Sequence, residues 1–90
     1  MARHTIDLST VESIEELHAR LARVLGLGPE YGRNLDALHD VLTESAEPRE
    51  LVFRNSGVFW RLFPEYLPRF IQVALDSQDE TDGLEVTFLP

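Results

Sequence analysis

Two aspartates four residues apart, Asp36 and Asp40, are the residues whose types and spacing point most directly to chemistry. Residues four apart lie on one face of an α-helix, so a helix over this stretch would present both carboxylates together. Glu44 continues the same line, and His39 lies beside Asp40. Carboxylates grouped in this way bind cationic side chains of a partner, or a metal ion.

Helix stability alone does not account for this pair of aspartates. Aspartate is a poor helix former, and like charges four residues apart cost about 0.2–0.5 kcal/mol. Asp36 gains from the dipole at the helix N-terminus, whereas Asp40 lies beyond the first turn, where that effect fades. A ligand with positive charge would explain the pair. A solvent-exposed polar face is the other explanation that the spacing allows.

A metal-binding hydrolase that uses Asp36, His39 and Asp40 is the alternative from a different class of protein. These residue types suit a hard or borderline cation. However, three ligands on one helix rarely complete a coordination sphere, and the sequence has no second histidine motif. The chain also lacks cysteine, a nucleophile elbow and a phosphate-binding loop. We therefore expect no metal, no cofactor and no enzyme activity.

The composition indicates one small acidic domain over residues 1–90. Hydrophobic residues make up 43% of the 90 positions, which is enough for a single core. The net charge of -8 disfavours nucleic acid and anionic membrane as partners. A basic protein, a cation or solubility alone would each explain it. We expect a cytoplasmic protein, because no signal peptide and no membrane span is recognisable. All eight cationic residues are arginine, a bias typical of GC-rich genomes such as those of actinobacteria.

The hydrophobic spacing predicts strands that alternate with helices. The predicted elements are a strand at 5–8, a helix from the Ser13–Glu16 capping box to Gly26, a helix capped by Asn34, a strand at 51–53, a short helix at 56–63, a helix from 65–68 onward and a strand at 84–89. The predicted core residues of the helices include Leu35, Leu38, Val41, Leu42, Phe59, Trp60, Phe63, Phe70, Ile71, Ala74 and Leu75. This order of elements indicates an α/β domain with a small parallel sheet.

The segment from Tyr31 to Asp40 resembles the central motif of the barstar family, intracellular inhibitors of bacterial guanyl-specific ribonucleases. The motif Tyr-Gly-x-Asn-Leu-Asp-Ala-Leu-x-Asp defines eight of its ten positions, and all eight match here. The similarity extends at lower strength to residues 13–18, 72–73 and 83–87, and it is weakest between 45 and 67. It implies an α/β fold with a three-stranded parallel sheet and three to four helices.

The resemblance also implies a mechanism, in which the second helix and the loop before it block a ribonuclease active site. Asp40 would occupy the position of a substrate phosphate, because a carboxylate accepts paired hydrogen bonds from arginine as a phosphate does. The implied partner is an extracellular guanyl-specific ribonuclease of bacterial, actinobacterial origin, and the free protein would be a monomer. The implied partner-binding residues are Glu30, Tyr31, Gly32, Arg33, Asn34, Leu35, Asp36, His39, Asp40, Glu44 and Asp76.

The sequence departs from the family's pattern at the flanks of this motif. Glu30 stands where an interface tyrosine is found, His39 replaces a tryptophan, and Ser45 falls near a second tryptophan position. Asp76 replaces a glutamate of the last helix. The second acidic position of that helix stays open, because Asp79, Glu80 and Asp82 surround a two-residue insertion. Because rim residues determine partner choice, an immunity protein against a different basic toxin is a further alternative.

His18 and Tyr31 could each have a structural role or a functional one. His18 lies among apolar residues of the first predicted helix, where a packed or capping histidine is expected. Tyr31 fits either the core or the interface, and the motif favours a role in supporting the loop.

Overall fold

Three parallel strands form the sheet of this chain, and helices fill both connections between them. In the computed structural model, which describes residues 2–44 and 47–90, the strand order is β1-β2-β3. The elements are β1 (Ala2–Asp7), a 3-10 turn (Leu8–Thr10), α1 (Ile14–Leu25), α2 (Leu35–Glu44), β2 (Arg49–Arg54), α3 (Ser56–Leu62), α4 (Tyr66–Glu80) and β3 (Leu84–Phe88). The expected α/β fold with a three-stranded parallel sheet is confirmed. Ser45 lies outside the described residues.

The central strand β2 determines the register of the sheet. Ala2 of β1 pairs with Arg49, and Arg49 pairs with Leu84 of β3. Parallel strands need long crossover connections, and each connection here contains two α-helices. Residues 51–53 of β2 are all buried, as is typical of a parallel strand covered on both faces.

Helix α1 begins and ends where local chemistry predicts. Ser13 Oγ accepts a hydrogen bond of 3.0 Å from the backbone N–H of Glu16 at the start of α1. Gly26 ends this helix with a φ of 68°, a left-handed conformation that glycine adopts without strain. The Glu16 carboxylate reaches back to the N–H of Glu12, at 3.0 Å. Within residues 2–44 and 47–90, no helix is long and apolar enough to span a membrane.

The core joins aliphatic side chains of the helices to a group of three phenylalanine rings. Phe53 of β2 stacks on Phe88 of β3 with 4.9 Å between ring centroids, and it meets Phe70 of α4 edge-on at 5.1 Å. Leu38 and Leu42 form the predicted buried stripe of α2, and each is 1% exposed. The exposed carboxylates of α2, Asp36, Asp40 and Glu44, therefore lie on a helix whose other side is well packed.

The prediction that Trp60 and Leu75 belong to the core is wrong. Trp60 is 49% exposed and Leu75 is 38% exposed. Successive residues of a helix point about 100° apart. The burial of Phe59 in α3 and of Ala74 in α4 therefore turns the next side chain of each helix towards solvent.

Candidate functional site

The recognition segment, defined as residues 30–44, consists of the loop before α2 and α2 itself. Tyr31 anchors the loop from the inside, since only 7% of this residue is exposed. Its backbone N–H donates to the carbonyl of Gly28 at 3.2 Å, which closes a turn. Tyr31 therefore supports the loop and offers little surface to a partner.

His18 joins this loop to two helices. This residue of α1 is fully buried, and its Nδ1 and Nε2 lie 2.7 Å from the hydroxyl oxygens of Tyr31 and Tyr66. A neutral imidazole has one donor and one acceptor nitrogen, so one tyrosine hydroxyl donates to the ring and the other accepts from it. Burial, and then the charge of Arg33, lowers the pKa of His18. The predicted packed role of His18 is confirmed.

Hydrogen bonds of Asn34 shape the entry to α2. Asn34 Oδ1 accepts from the N–H of Ala37 at 2.7 Å, and Asn34 Nδ2 donates to the carbonyl of Gly32 at 3.3 Å. Asn34 is thus the predicted N-cap. A Cβ at Gly32 would lie 3.2 Å from the Cβ of Ala37, so a glycine lets the loop pass close to the helix. Arg33, which lies between Gly32 and Asn34, has a left-handed φ of 52°.

A groove of about 550 Å³ lies between the loop and α2, and three carboxylates line it. We call it the carboxylate groove, and its acidic residues are Glu30, Asp40 and Glu44. Arg49 also lines it, but its guanidinium donates to the carbonyls of Val41 and Leu42 at 3.0 and 3.1 Å. Arg49 thereby satisfies the last turn of α2. The groove thus offers an excess of negative charge to a cationic side chain.

Asp36 lies outside the carboxylate groove. It is exposed, as predicted, but it lines a second groove of about 290 Å³ together with Arg33, Leu35 and Arg69. Asp36 stands beside the end of the loop, whereas Asp40 stands one turn further along α2. The two carboxylates of the predicted pair therefore face separate hollows of the same surface.

His39 connects α2 to α4. Its Nε2 is hydrogen-bonded to the carboxylate of Glu80, and its Nδ1 lies 3.9 Å from Asp40 Oδ1. The hydrogen bond to Glu80 raises the pKa of His39, and the negative charges of Glu80, Asp40 and Asp76 raise it further against the opposing effect of desolvation. We call the exposed carboxylates of Glu30, Asp36, Asp40 and Glu44 the acidic face. His39 is only partly exposed, so it supports this face and forms part of its border.

Titration of His39 makes the contact between α2 and α4 depend on pH. Its pKa in the fold lies above the ordinary value of 6.5, so its protonated form stabilises the fold. That contribution is complete below pH 6.5 and is lost as the pH rises through the raised pKa.

We expect the unfolding free energy of wild type, measured by urea denaturation, to fall above pH 6.5 through this loss. The variant His39→Gln should not show this fall. The control is His4→Gln on β1, which should show the same fall as wild type. If the unfolding free energy of His39→Gln depended on pH as that of wild type does, His39 would not be the group responsible.

Asp76, the predicted contact residue of α4, is exposed and accepts a hydrogen bond of 2.8 Å from Gln72 Nε2. Its charge acts on His39, which places it beside the acidic face of α2. The described ranges contain no group of three or more His, Cys, Asp or Glu side chains that could hold a metal ion. The metal-hydrolase alternative for Asp36, His39 and Asp40 gains no support from this geometry.

Sequence reasoning did not identify three residues that support the surface, namely Arg49, Tyr66 and Glu80. Arg49 lies before the predicted strand at 51–53 and Tyr66 lies in the predicted helix start at 65–68, and neither position indicates a supporting role. Glu80 belongs to an acidic run whose role stayed open, and its partner His39 lies 41 positions away. Spacing along the chain carries no signal for contacts of this range.

The fold and the surface together define a small α/β protein with an exposed face rich in carboxylates. Residues 1–89 match the family model described as "Barstar (barnase inhibitor)". The chain is also 36% identical over 81 residues to "Putative ribonuclease inhibitor YrdF" of Bacillus subtilis (strain 168), with 89% of each chain covered. The chain therefore belongs to the barstar family, as the motif at 31–40 predicted.

Proposed function

We propose that this chain inhibits a secreted bacterial guanyl-specific ribonuclease by covering its active site with the recognition segment. The observation that carries the proposal is the carboxylate groove, whose lining includes Asp40 of the motif at 31–40 and whose loop is supported by buried Tyr31. Both the family description and the name of the Bacillus relative refer to ribonuclease inhibition. In this role the chain blocks a site and catalyses no reaction.

Asp40 acts as the mimic of a substrate phosphate. A ribonuclease binds the phosphates of RNA through cationic side chains, and a carboxylate accepts paired hydrogen bonds from the same guanidinium donors. Asp40 is exposed on a packed helix, so little ordering is needed before binding. Glu30 and Glu44 line the same groove and add attraction for the cation. Asp36 and Asp76 contribute contacts on either side.

Long-range electrostatics favour the same partner. The net charge of -8 attracts a basic enzyme and speeds its association at low ionic strength. The arginine-only cation content fits a ribonuclease from an actinobacterial host. We place the inhibitor in the cytoplasm as a monomer, where it protects the cell from enzyme made for export.

Inhibition is tested by titrating the purified protein into barnase and a panel of actinobacterial guanyl-specific ribonucleases. We expect cleavage of a fluorogenic guanosine-containing RNA to stop at an equimolar ratio for at least one enzyme. The association rate constant should fall by at least about tenfold between low and physiological salt, because exposed charges are screened. Full cleavage by every enzyme at excess protein would contradict the proposal and favour a different basic toxin.

A further inference from the structure

The second groove beside the acidic face carries the opposite charge. We call it the arginine groove, and it is lined by Ile14, Arg33, Asn34, Leu35, Asp36, Tyr66 and Arg69. Two guanidinium groups and one carboxylate are among these side chains, so the lining is net positive. This is unexpected on a chain with a net charge of -8.

Arg33 is only weakly held within the protein. Its side chain is 53% exposed, and its guanidinium lies 4.0 Å from the carboxylate of Glu15, which is itself 84% exposed. An ion pair this exposed contributes little to stability, because water and salt screen it. The left-handed backbone of Arg33 also carries a conformational cost for a residue with a Cβ. Folding stability therefore does not account for an arginine at this position.

Arg69 is not explained by local stability either. It is exposed and lies three residues after Tyr66, the first residue of α4, where the helix dipole disfavours a cation. Among the described residues it makes no hydrogen bond or ion pair. Two arginines without a strong carboxylate partner thus line one groove, and a bound anion would satisfy both.

A mainly apolar hollow of about 400 Å³ lies next to the arginine groove. It shares Ile14, Tyr66 and Arg69 with that groove and is completed by Leu62, Phe63, Pro64 and Glu65. Arg69 therefore borders both hollows, whereas Arg33 lies with Asp36 in the arginine groove. A partner that covers α2 would therefore also contact this hollow.

We propose that the arginine groove is a subsite for an acidic side chain of the bound partner, an aspartate or glutamate next to an apolar residue. This inference rests on the proposed function and names a further part of the same interface. Guanidinium groups bind a carboxylate through paired N–H donors. A singly charged carboxylate is favoured over a phosphate dianion, because Asp36 and the net charge of -8 repel the second charge. Charges of both signs then determine which ribonuclease the chain accepts.

A direct test uses the dipeptide acetyl-Asp-Phe-amide, titrated into ¹⁵N-labelled protein and followed by NMR. We expect saturable shifts at residues 33–36 and 69, with a dissociation constant of about 1–10 mM for one or two charge-assisted hydrogen bonds. Arg33→Gln and Arg69→Gln should each weaken binding by at least about tenfold, the loss of one such bond. Arg23→Gln, an exposed position on α1 outside the groove, is the matched control and should bind as wild type does.

Several results would overturn the subsite. These are the absence of saturable shifts, equal binding of acetyl-Asn-Phe-amide, or tighter binding of inorganic phosphate than of the dipeptide. The ribonuclease assay separates the subsite from the proposed function. If Asp40→Ala abolishes inhibition while both arginine variants inhibit as wild type does, the subsite fails and the proposed function stands. Dipeptide binding without inhibition of any ribonuclease supports the subsite and rejects the proposed function.

Discussion

Replacement of Asp40 by alanine is expected to weaken inhibition of the target ribonuclease about 30-fold to several thousand-fold. This corresponds to about 2–5 kcal/mol, the range typical of removing one partner from a buried, hydrogen-bonded charge pair. The loss is large because the cations of the enzyme stay covered by the inhibitor after their carboxylate partner has gone. The inhibition constant and the dissociation rate constant are the quantities to measure, and most of the change should appear in the dissociation rate.

The control for Asp40→Ala is Glu12→Gln, which also removes one negative charge but lies before α1 and outside the recognition segment. It should change the inhibition constant by no more than about twofold, because a remote exposed charge acts only through screened attraction. Asp40→Asn keeps the size of the side chain and loses its charge, so it should resemble Asp40→Ala. An inhibition constant for Asp40→Ala equal to that of wild type would reject the phosphate-mimic role.

Replacement of His18 by leucine is expected to lower the free energy of unfolding by about 2–4 kcal/mol. Leucine leaves the hydroxyl groups of buried Tyr31 and half-buried Tyr66 without their partner, and a buried group left unpaired costs about 1–3 kcal/mol. Urea denaturation at neutral pH measures the change. Because Tyr31 anchors the loop, the variant should also inhibit less well at temperatures where it is still folded.

The pH dependence separates the hydrogen bonds of His18 from its packing. Its pKa is lowered in the fold, so the stability that depends on a neutral ring is present above pH 6.5 and is lost as the pH falls below this value. His18→Gln keeps a donor and an acceptor, so it should be more stable than His18→Leu and should not show this loss on acidification. Equal stability of wild type and His18→Leu at neutral pH would show that the two hydroxyl contacts contribute nothing.

The fold was predictable from sequence because its signals are local. The Ser13 cap, the left-handed Gly26 and the Asn34 cap each act within one helical turn, so short stretches of chain specify them. The stripe of Leu38 and Leu42 follows from helical periodicity. These features gave the order of elements, and the motif at 31–40 gave the family.

The contacts that shape the site were not predictable, because they join distant parts of the chain. The bond from His39 to Glu80 and the bond from His18 to Tyr66 depend on how the helices pack. The separation of Asp36 from Asp40 depends on the path of the loop, which helical spacing does not describe. Trp60 failed as a core prediction for a similar reason, since its neighbour Phe59 already fills the space under α3.

The order of strand pairing determines the stage of synthesis at which the acidic face can form. Every pairing of the sheet joins residues far apart in sequence, and such topologies fold more slowly than helical bundles. The acidic face comes from residues 30–44, yet α2 packs on α4 near the other end of the sequence. A nascent chain that stops before α4 therefore lacks the scaffold of its own binding face. Under the proposed function, the chain can therefore cover a ribonuclease only after its last helix and strand have been synthesised and packed.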